Sequence, residues 1–108
     1  MYDLTKNEEL ILLSVFKLKG NAYGVTVKKM VKDITGKDLN FGSMYNTLYL
    51  LVRRGLITSK KSDPVSRKGG KRKKLYFLTA EGLKALQKAQ EIQKLAWENM
   101  PDLALGKK

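Results

Sequence analysis

Between residues 60 and 74 the chain sets Lys60, Lys61, Arg67, Lys68, Lys71, Arg72, Lys73 and Lys74 against a single acid, Asp63. A segment so charged and so poor in apolar side chains cannot enter a core, so it has to lie in solvent. It is bounded by two short apolar segments with strand character, residues 56–59 and 75–78. Gly69 and Gly70 supply turn freedom between them. The pattern predicts a hairpin with a long basic connection, and the rest of the chain must supply the core on which that hairpin rests.

The remaining segments follow a helical period. Thr5 and Glu8 have the spacing of a capping box ahead of Leu10, Ile11, Leu13, Val15 and Phe16, predicting a helix over about 6–19 that Gly20 and Asn21 close. Tyr23 and Gly24 open a second segment, with a turn-forming and packing role. There Val27, Met30, Val31 and Ile34 recur at three- and four-residue steps as far as Gly36. A third helix, from about 40 to about 54, turns Met44, Leu48, Leu51 and Val52 inward and leaves Ser43, Asn46, Tyr49 and Arg53 outside or along its margins, with Gly55 ending it. Thr79 caps a final helix over about 80–99, stopped by Pro101. Its apolar flank, Leu83, Leu86, Ala89, Ile92, Leu95 and Ala96, with Trp97 near the end, belongs to a rod about 30 Å long. That is more than one small domain can cover, so a second subunit is expected to cover it.

At 108 residues the chain has room for one domain. Lys and Arg number 22 against 10 Asp and Glu, a formal charge of +12 that makes an anionic partner, above all nucleic acid, the natural expectation. With no cysteine there is no disulfide or thiol chemistry. With no histidine the commonest metal ligand and neutral-pH base are missing. Asp33, Asp38, Glu8 and Glu81 have no metal-ligand spacing, and Gly69-Gly70 lacks the longer glycine pattern of a nucleotide-binding loop. No enzyme, metal or cofactor is expected. The start of the chain lacks the pattern of a signal peptide, and no apolar run approaches the roughly 20 residues of a membrane span, so a cytoplasmic protein without a membrane partner is expected.

Helix, helix, helix, strand, basic loop, strand, helix is the order of a winged helix-turn-helix: a mainly α fold with a small β-hairpin, here followed by a C-terminal dimerisation helix. Three stretches sharpen this. Leu12-Leu13 leads to Tyr23-Gly24. Gly42-Ser43-Met44-Tyr45 leads to Gly55-Leu56-Ile57. Gly69-Gly70-Lys71-Arg72-Lys73-Lys74-Leu75-Tyr76-Phe77-Leu78-Thr79 is followed by Gly82. Together, over roughly residues 10 to 90, they resemble the PadR family of bacterial transcriptional regulators, in its compact branch with a single C-terminal helix.

The resemblance implies a homodimeric, repressor-like protein on a two-fold DNA operator. Residues 1–79 form the DNA-binding domain, and residues 80–108 form the dimerisation helix and tail in one compact unit with it. The apolar side of residues 10 to 18 is expected to share in the dimer contact. Asn46, where many relatives have Pro, and Tyr49, at a position often polar or charged, depart from the family pattern, so no operator sequence is carried over.

The expected DNA contacts are Ser43, Tyr45, Asn46, Thr47 and Tyr49 on the third helix, with Lys68, Lys71, Arg72, Lys73 and Lys74 on the wing. Ordinary capping for Ser43 and partial packing for the tyrosines are the bland alternatives. Arg72 has the planar fork suited to phosphate or a minor groove, whereas Lys60 and Lys61 contribute mainly to the general field. The expected dimer contacts are Leu83, Leu86, Ile92, Leu95 and Trp97. Trp97 is also a candidate to touch a small aromatic or apolar effector. Two other classes use the same charge, a structured-RNA binder and a winged-helix protein-interaction adaptor. The deep, narrow major groove of A-form RNA would refuse the third helix.

Overall fold

The computed structural model describes residues 3–61 and 73–99. In chain order it contains α1 (Lys6–Leu18), α2 (Gly24–Thr35), α3 (Phe41–Arg53), β1 (Ile57–Lys61), β2 (Lys74–Leu78) and α4 (Ala80–Trp97). The helix boundaries follow local chemistry. Thr5 Oγ1 accepts from the Glu8 amide at 3.1 Å while Glu8 Oε1 accepts from the Thr5 amide at 2.8 Å, so the expected capping box forms. Asn40 caps α3 by accepting from the Ser43 amide at 3.1 Å, which takes the capping role away from Ser43 itself. Gly55, at φ 77°, turns the chain out of α3 in a conformation that a Cβ would oppose.

The three helices pack around Ile11, Leu12, Val15, Val27, Val31, Met44, Leu48 and Leu51, and Leu56, Ile57, Tyr76, Ala85 and Leu86 close the core from the hairpin and α4. The inward face expected for α3 is observed, with Val52 at its margin. Two members of the periodic series are not covered: Ile34, in the last turn of α2 beyond the edge of the core, and Phe16, on the side of α1 that faces α4, are 46% and 45% exposed. Ser14 is fully buried yet satisfied, because its hydroxyl donates to the Leu10 carbonyl at 2.8 Å inside its own helix.

The two strands pair antiparallel, from Ile57 opposite Leu78 to Lys61 opposite Lys74. The ladder therefore reaches further into the basic segment than its apolar ends suggested, and Lys60, Lys61 and Lys74 are strand residues. The Tyr76 amide donates to the Ala22 carbonyl at 2.8 Å, which ties the hairpin to the α1–α2 connection.

One junction sets the direction of α4. The Thr79 amide donates to the Leu56 carbonyl at 3.1 Å, the Thr79 hydroxyl donates to the Gly55 carbonyl at 2.7 Å, and the same oxygen accepts from the Gly82 amide at 2.9 Å. A Cβ on Gly82 would overlap the Leu56 carbonyl oxygen and press on Leu78. Alanine is the better helix former by about 1 kcal/mol, but that carbonyl is held by Thr79 and cannot retreat freely. Gly82→Ala is therefore expected to destabilise the protein by up to about 2 kcal/mol net, since overpacking costs about 1–3 kcal/mol. Urea denaturation measures it; a gain in stability would show that α4 is free to move off the strand.

Candidate nucleic-acid interface

Packing of Met44, Leu48 and Leu51 against the core leaves the opposite side of α3 in solvent. Its midline is Gly42, Asn46, Tyr49 and Arg53, all exposed at steps of four, three and four residues. Ser43 and Leu50 form one flank of this face and Phe41 and Tyr45 the other, while Thr47 sits half-buried at the margin of the core. Of the expected α3 contacts, Ser43, Asn46 and Tyr49 share an open surface, and Thr47 is set back from it. α3 carries no acidic side chain, so nothing on the helix itself repels a polyanion.

Tyr45 is half-exposed. The ring stacks on Phe41 at a centroid distance of 6.0 Å and an interplanar angle of 18°. Its hydroxyl end rests against Gly24 at the start of α2, where a Cβ would fill the same space. The small residue at the start of α2 is thus what lets α3 approach, and Tyr45 offers an aromatic face outward. Burial pushes the nearby Tyr76 phenol above the ordinary tyrosine value, with Tyr45 adding to the effect.

Cations stand beside these aromatics. The Arg53 guanidinium donates to the Tyr49 hydroxyl at 3.1 Å and lies 5.8 Å from its ring centre. The Lys28 ammonium is 5.0 Å from the centre of the Phe41 ring, and the Lys73 ammonium is 4.3 Å from that of Tyr23. Phe41, Lys28 and Arg53 were not among the residues the sequence pointed to for the site. The four-residue steps from Phe41 to Tyr45 and from Tyr49 to Arg53 were the available signal for two of them; Lys28 joins only through tertiary packing.

At the α2–α3 connection, Asp38 takes Lys28 at 3.0 Å on one carboxylate oxygen and Lys32 at 3.4 Å on the other. The Lys28 hydrogen bond and charge, followed by those of Lys32, hold the Asp38 carboxyl below its ordinary value.

On the hairpin, Lys60, Lys61, Lys73 and Lys74 are all exposed, and Lys61 directly opposes Lys74 across the ladder. Like charges set opposite each other weaken a strand pair, an arrangement suited to an anion lying across both. Lys68, Lys71 and Arg72 lie outside the described residues. Among the described residues no cluster of three acidic side chains could hold a metal ion, and no helix is long and apolar enough to cross a membrane.

From Gln90 onward α4 is exposed, although Ile92 and Gln93 still line a hollow with Leu4 and Glu9. Leu83, Ile92, Leu95 and Trp97 are 39%, 56%, 62% and 50% exposed, but Leu86 is only 8% exposed. Leu86 is a core residue of its own chain, which corrects its placement on the apolar flank: the early turns of α4 pack on the domain and only the later ones leave it. Between α1 and α4 runs an open groove of about 880 Å³ with Leu13, Phe16, Leu83 and Leu86 in its lining, and Trp97 is not part of that lining.

This geometry has close counterparts. The family model for the PadR-like transcriptional regulators matches residues 12–88. A PadR family transcription regulator from Clostridium difficile is 32% identical, with 86% of this chain and 88% of that one covered at a TM-score of 0.65. RosR of H. salinarum is 28% identical, with coverages of 93% and 83% and a TM-score of 0.68. A Thermoplasma acidophilum protein, 24% identical, shares the fold over 94% of this chain and 96% of its own at a TM-score of 0.70. Among curated proteins no sequence is significantly similar. The match runs from the middle of α1 through α2, α3 and the hairpin to the first half of α4, the elements that bear the exposed helix face and the lysine ribbon, and the chain therefore belongs to the PadR-like family of DNA-binding transcriptional regulators.

Proposed function

We propose that the protein is a non-enzymatic, homodimeric repressor that reads a specific two-fold operator in the cytoplasm. The observation that carries this reading is the outward face of α3, exposed along its length and free of acidic side chains, with Lys28 of α2 beside the Phe41 ring at its start. A helix of this kind fits a major groove, where Ser43, Asn46 and Tyr49 reach base edges, with Tyr45 and the half-buried Thr47 at the margins of the contact. The hairpin, with Lys73 and Lys74 and the neighbouring Lys68, Lys71 and Arg72 of the sequence, supplies phosphate contacts that position the helix and carry no sequence information. Repression is the direct consequence of a protein covering a promoter. Selection of bound fragments from genomic DNA tests the whole reading: an enriched inverted sequence is expected, and fragments enriched without any common sequence would reject it.

The dimer is built on the second half of α4, where Ile92 and Leu95, three residues apart on one face, are exposed apolar side chains, with Trp97 exposed on another side of the helix. A small apolar ligand seated in the groove beside Leu13, Phe16 and Leu83 would bias the angle between α4 and the DNA-binding domain and so relieve repression. Trp97, on the same helix, would report the change. Coupled shifts in Trp97 fluorescence and operator affinity on titration with apolar ligands are the expected readout.

Two sets of substitutions test the division of labour. Lys73→Ala with Lys74→Ala should weaken binding to operator and unrelated duplex alike. Each lost phosphate contact lowers the slope of log affinity against log salt by about 0.9, so a dimer loses about 4 units at most. Ser43→Ala with Asn46→Ala should instead narrow the preference for operator, by roughly 1–3 kcal/mol for each lost base contact. An unchanged salt slope in the first variant, together with undiminished preference in the second, would remove this assignment.

Ile92→Gln with Leu95→Gln should yield folded monomers with weakened operator binding, because two half-sites no longer act through one body. Analytical ultracentrifugation measures the assembly directly. A stable wild-type monomer at tens of micromolar would exclude the dimer. Leu86 is unsuitable for this purpose, since a polar group there would damage the core.

A further inference from the structure

A third basic element lies outside both the α3 face and the hairpin. Lys28 and Lys32 stand one turn apart on α2, and their ammonium groups converge on the two oxygens of one carboxylate, that of Asp38, at 3.0 and 3.4 Å. The carboxylate is 58% exposed and Lys32 is 56% exposed, so the site opens to solvent. An ion pair in such a setting is weakly held and exchanges readily with another anion. The site is also correctly placed. Lys28 is in contact with the Phe41 ring, in the first turn of α3, on the flank that faces α2, and the first helix of a helix-turn-helix crosses the DNA backbone beside the groove that the second one enters.

A phosphodiester carries one negative charge shared between two terminal oxygens, as a carboxylate does. Two ammonium groups that grip one can grip the other, since each acts as a compact point charge without the planar fork that would fix the partner's shape. The geometry points to Lys28 and Lys32 as a binding pair for a backbone phosphodiester of duplex DNA, with Asp38 as the resident counter-anion that the phosphate must displace. This rests on the seating of α3 proposed above. The carboxylate then acts as a brake on sequence-independent attraction in a chain whose formal charge is +12. Each approach to a phosphate in this corner must break two ion pairs and leave a like charge beside it.

The test is the sign of two opposed substitutions, read with the full-length protein on a short duplex of mixed sequence. Asp38→Asn keeps the shape and removes the charge, and should bind about tenfold tighter at ~0.1 M salt. Its log-affinity against log-salt slope should be steeper by up to about 0.9 per subunit, as the one positive charge that the carboxylate cancels becomes available to phosphate. Lys28→Gln with Lys32→Gln should bind at least about fivefold more weakly than wild type with a shallower slope, because phosphate contacts are lost. Adding Asp38→Asn to that pair should recover only part of the loss. If Asp38 merely tethers the α2–α3 connection, both variants loosen the same turn, both melt earlier and both bind more weakly, and that outcome overturns the proposal. So does a lysine variant with wild-type affinity and slope, which decides the matter even if Asp38→Asn does not fold. A wild-type protein that binds no duplex at all would instead remove the proposed function on which the inference rests.

Discussion

The carbonyl group of Leu56 is the point on which the arrangement turns. It accepts from Thr79 at the end of β2, and Gly82 in the first turn of α4 packs directly over it. Three elements thus meet at one backbone oxygen: the exit of α3, the closing end of the hairpin and the start of the long helix. Because Thr79 also binds the Gly55 carbonyl while capping α4, the hairpin cannot tilt without dragging α3 or α4 with it. A rigid junction of this kind is what a groove-reading protein needs, since a helix and a ribbon that address the same duplex must keep a fixed offset to engage together. A second tie acts from the other end of the domain. Arg54 reaches Glu8 at 3.3 Å and the Asp3 carbonyl at 3.0 Å, fastening the end of α3 to the start of α1.

The site itself is a compromise between packing and reading. Phe41, Tyr45 and Tyr49 place aromatic rings along one edge of an exposed helix, where apolar surface would ordinarily be a liability. Lys28 and Arg53 stand over two of these rings, which keeps cations beside the aromatic surface, Lys28 while also paired with Asp38. Rings and lysine stems also restrict the motion of the charged groups, so less freedom is lost when a phosphate arrives. Tyr45 does double duty in a literal sense: its hydroxyl end closes against Gly24 and its ring stacks on Phe41, while the residue stays half-exposed.

Features decided by near neighbours in sequence were legible in it. The Thr5–Glu8 box, the exit at Gly55, the inward series Met44, Leu48 and Leu51 and the Thr79 cap all depend on contacts within a turn or on one helical period, and all are found. Ser43, Asn46 and Tyr49 could be placed outward by the same logic, since knowing the buried side of a helix settles the opposite one. What the sequence hid depends on where elements end up relative to one another. Whether Leu86 lies inside the domain or on a free flank is decided by how far α4 travels before leaving α1, and no period contains that distance. The convergence of Lys28 and Lys32 on Asp38 requires the α2–α3 turn to fold back, and the Arg54–Glu8 contact joins residues on different helices. Ile34 and Phe16 share the rhythm of core residues, yet the core ends before it reaches them.

The charge of the chain is distributed in a way that bears on assembly. Two bodies each carrying a formal +12 repel one another, so a dimer needs a contact surface from which that charge has been removed. From Ala80 to Glu98 the lysines are Lys84, Lys88 and Lys94 and the acids are Glu81, Glu91 and Glu98, so this stretch is formally neutral. Two pairs are made within the helix, Lys84 with Glu81 at 3.7 Å and Lys88 with Glu91 at 3.4 Å, so the balance is local as well as formal. Gln87, Gln90 and Gln93 fill further positions with uncharged polar groups. The whole excess charge therefore resides in the rest of the chain, which includes the α2 lysines and the basic hairpin. In the dimer proposed above, a helix that is formally neutral and exposes Ile92 and Leu95 would bring two such bodies together, whereas the basic surfaces, kept apart by their mutual repulsion, would be left facing outward toward a polyanion that can bridge them.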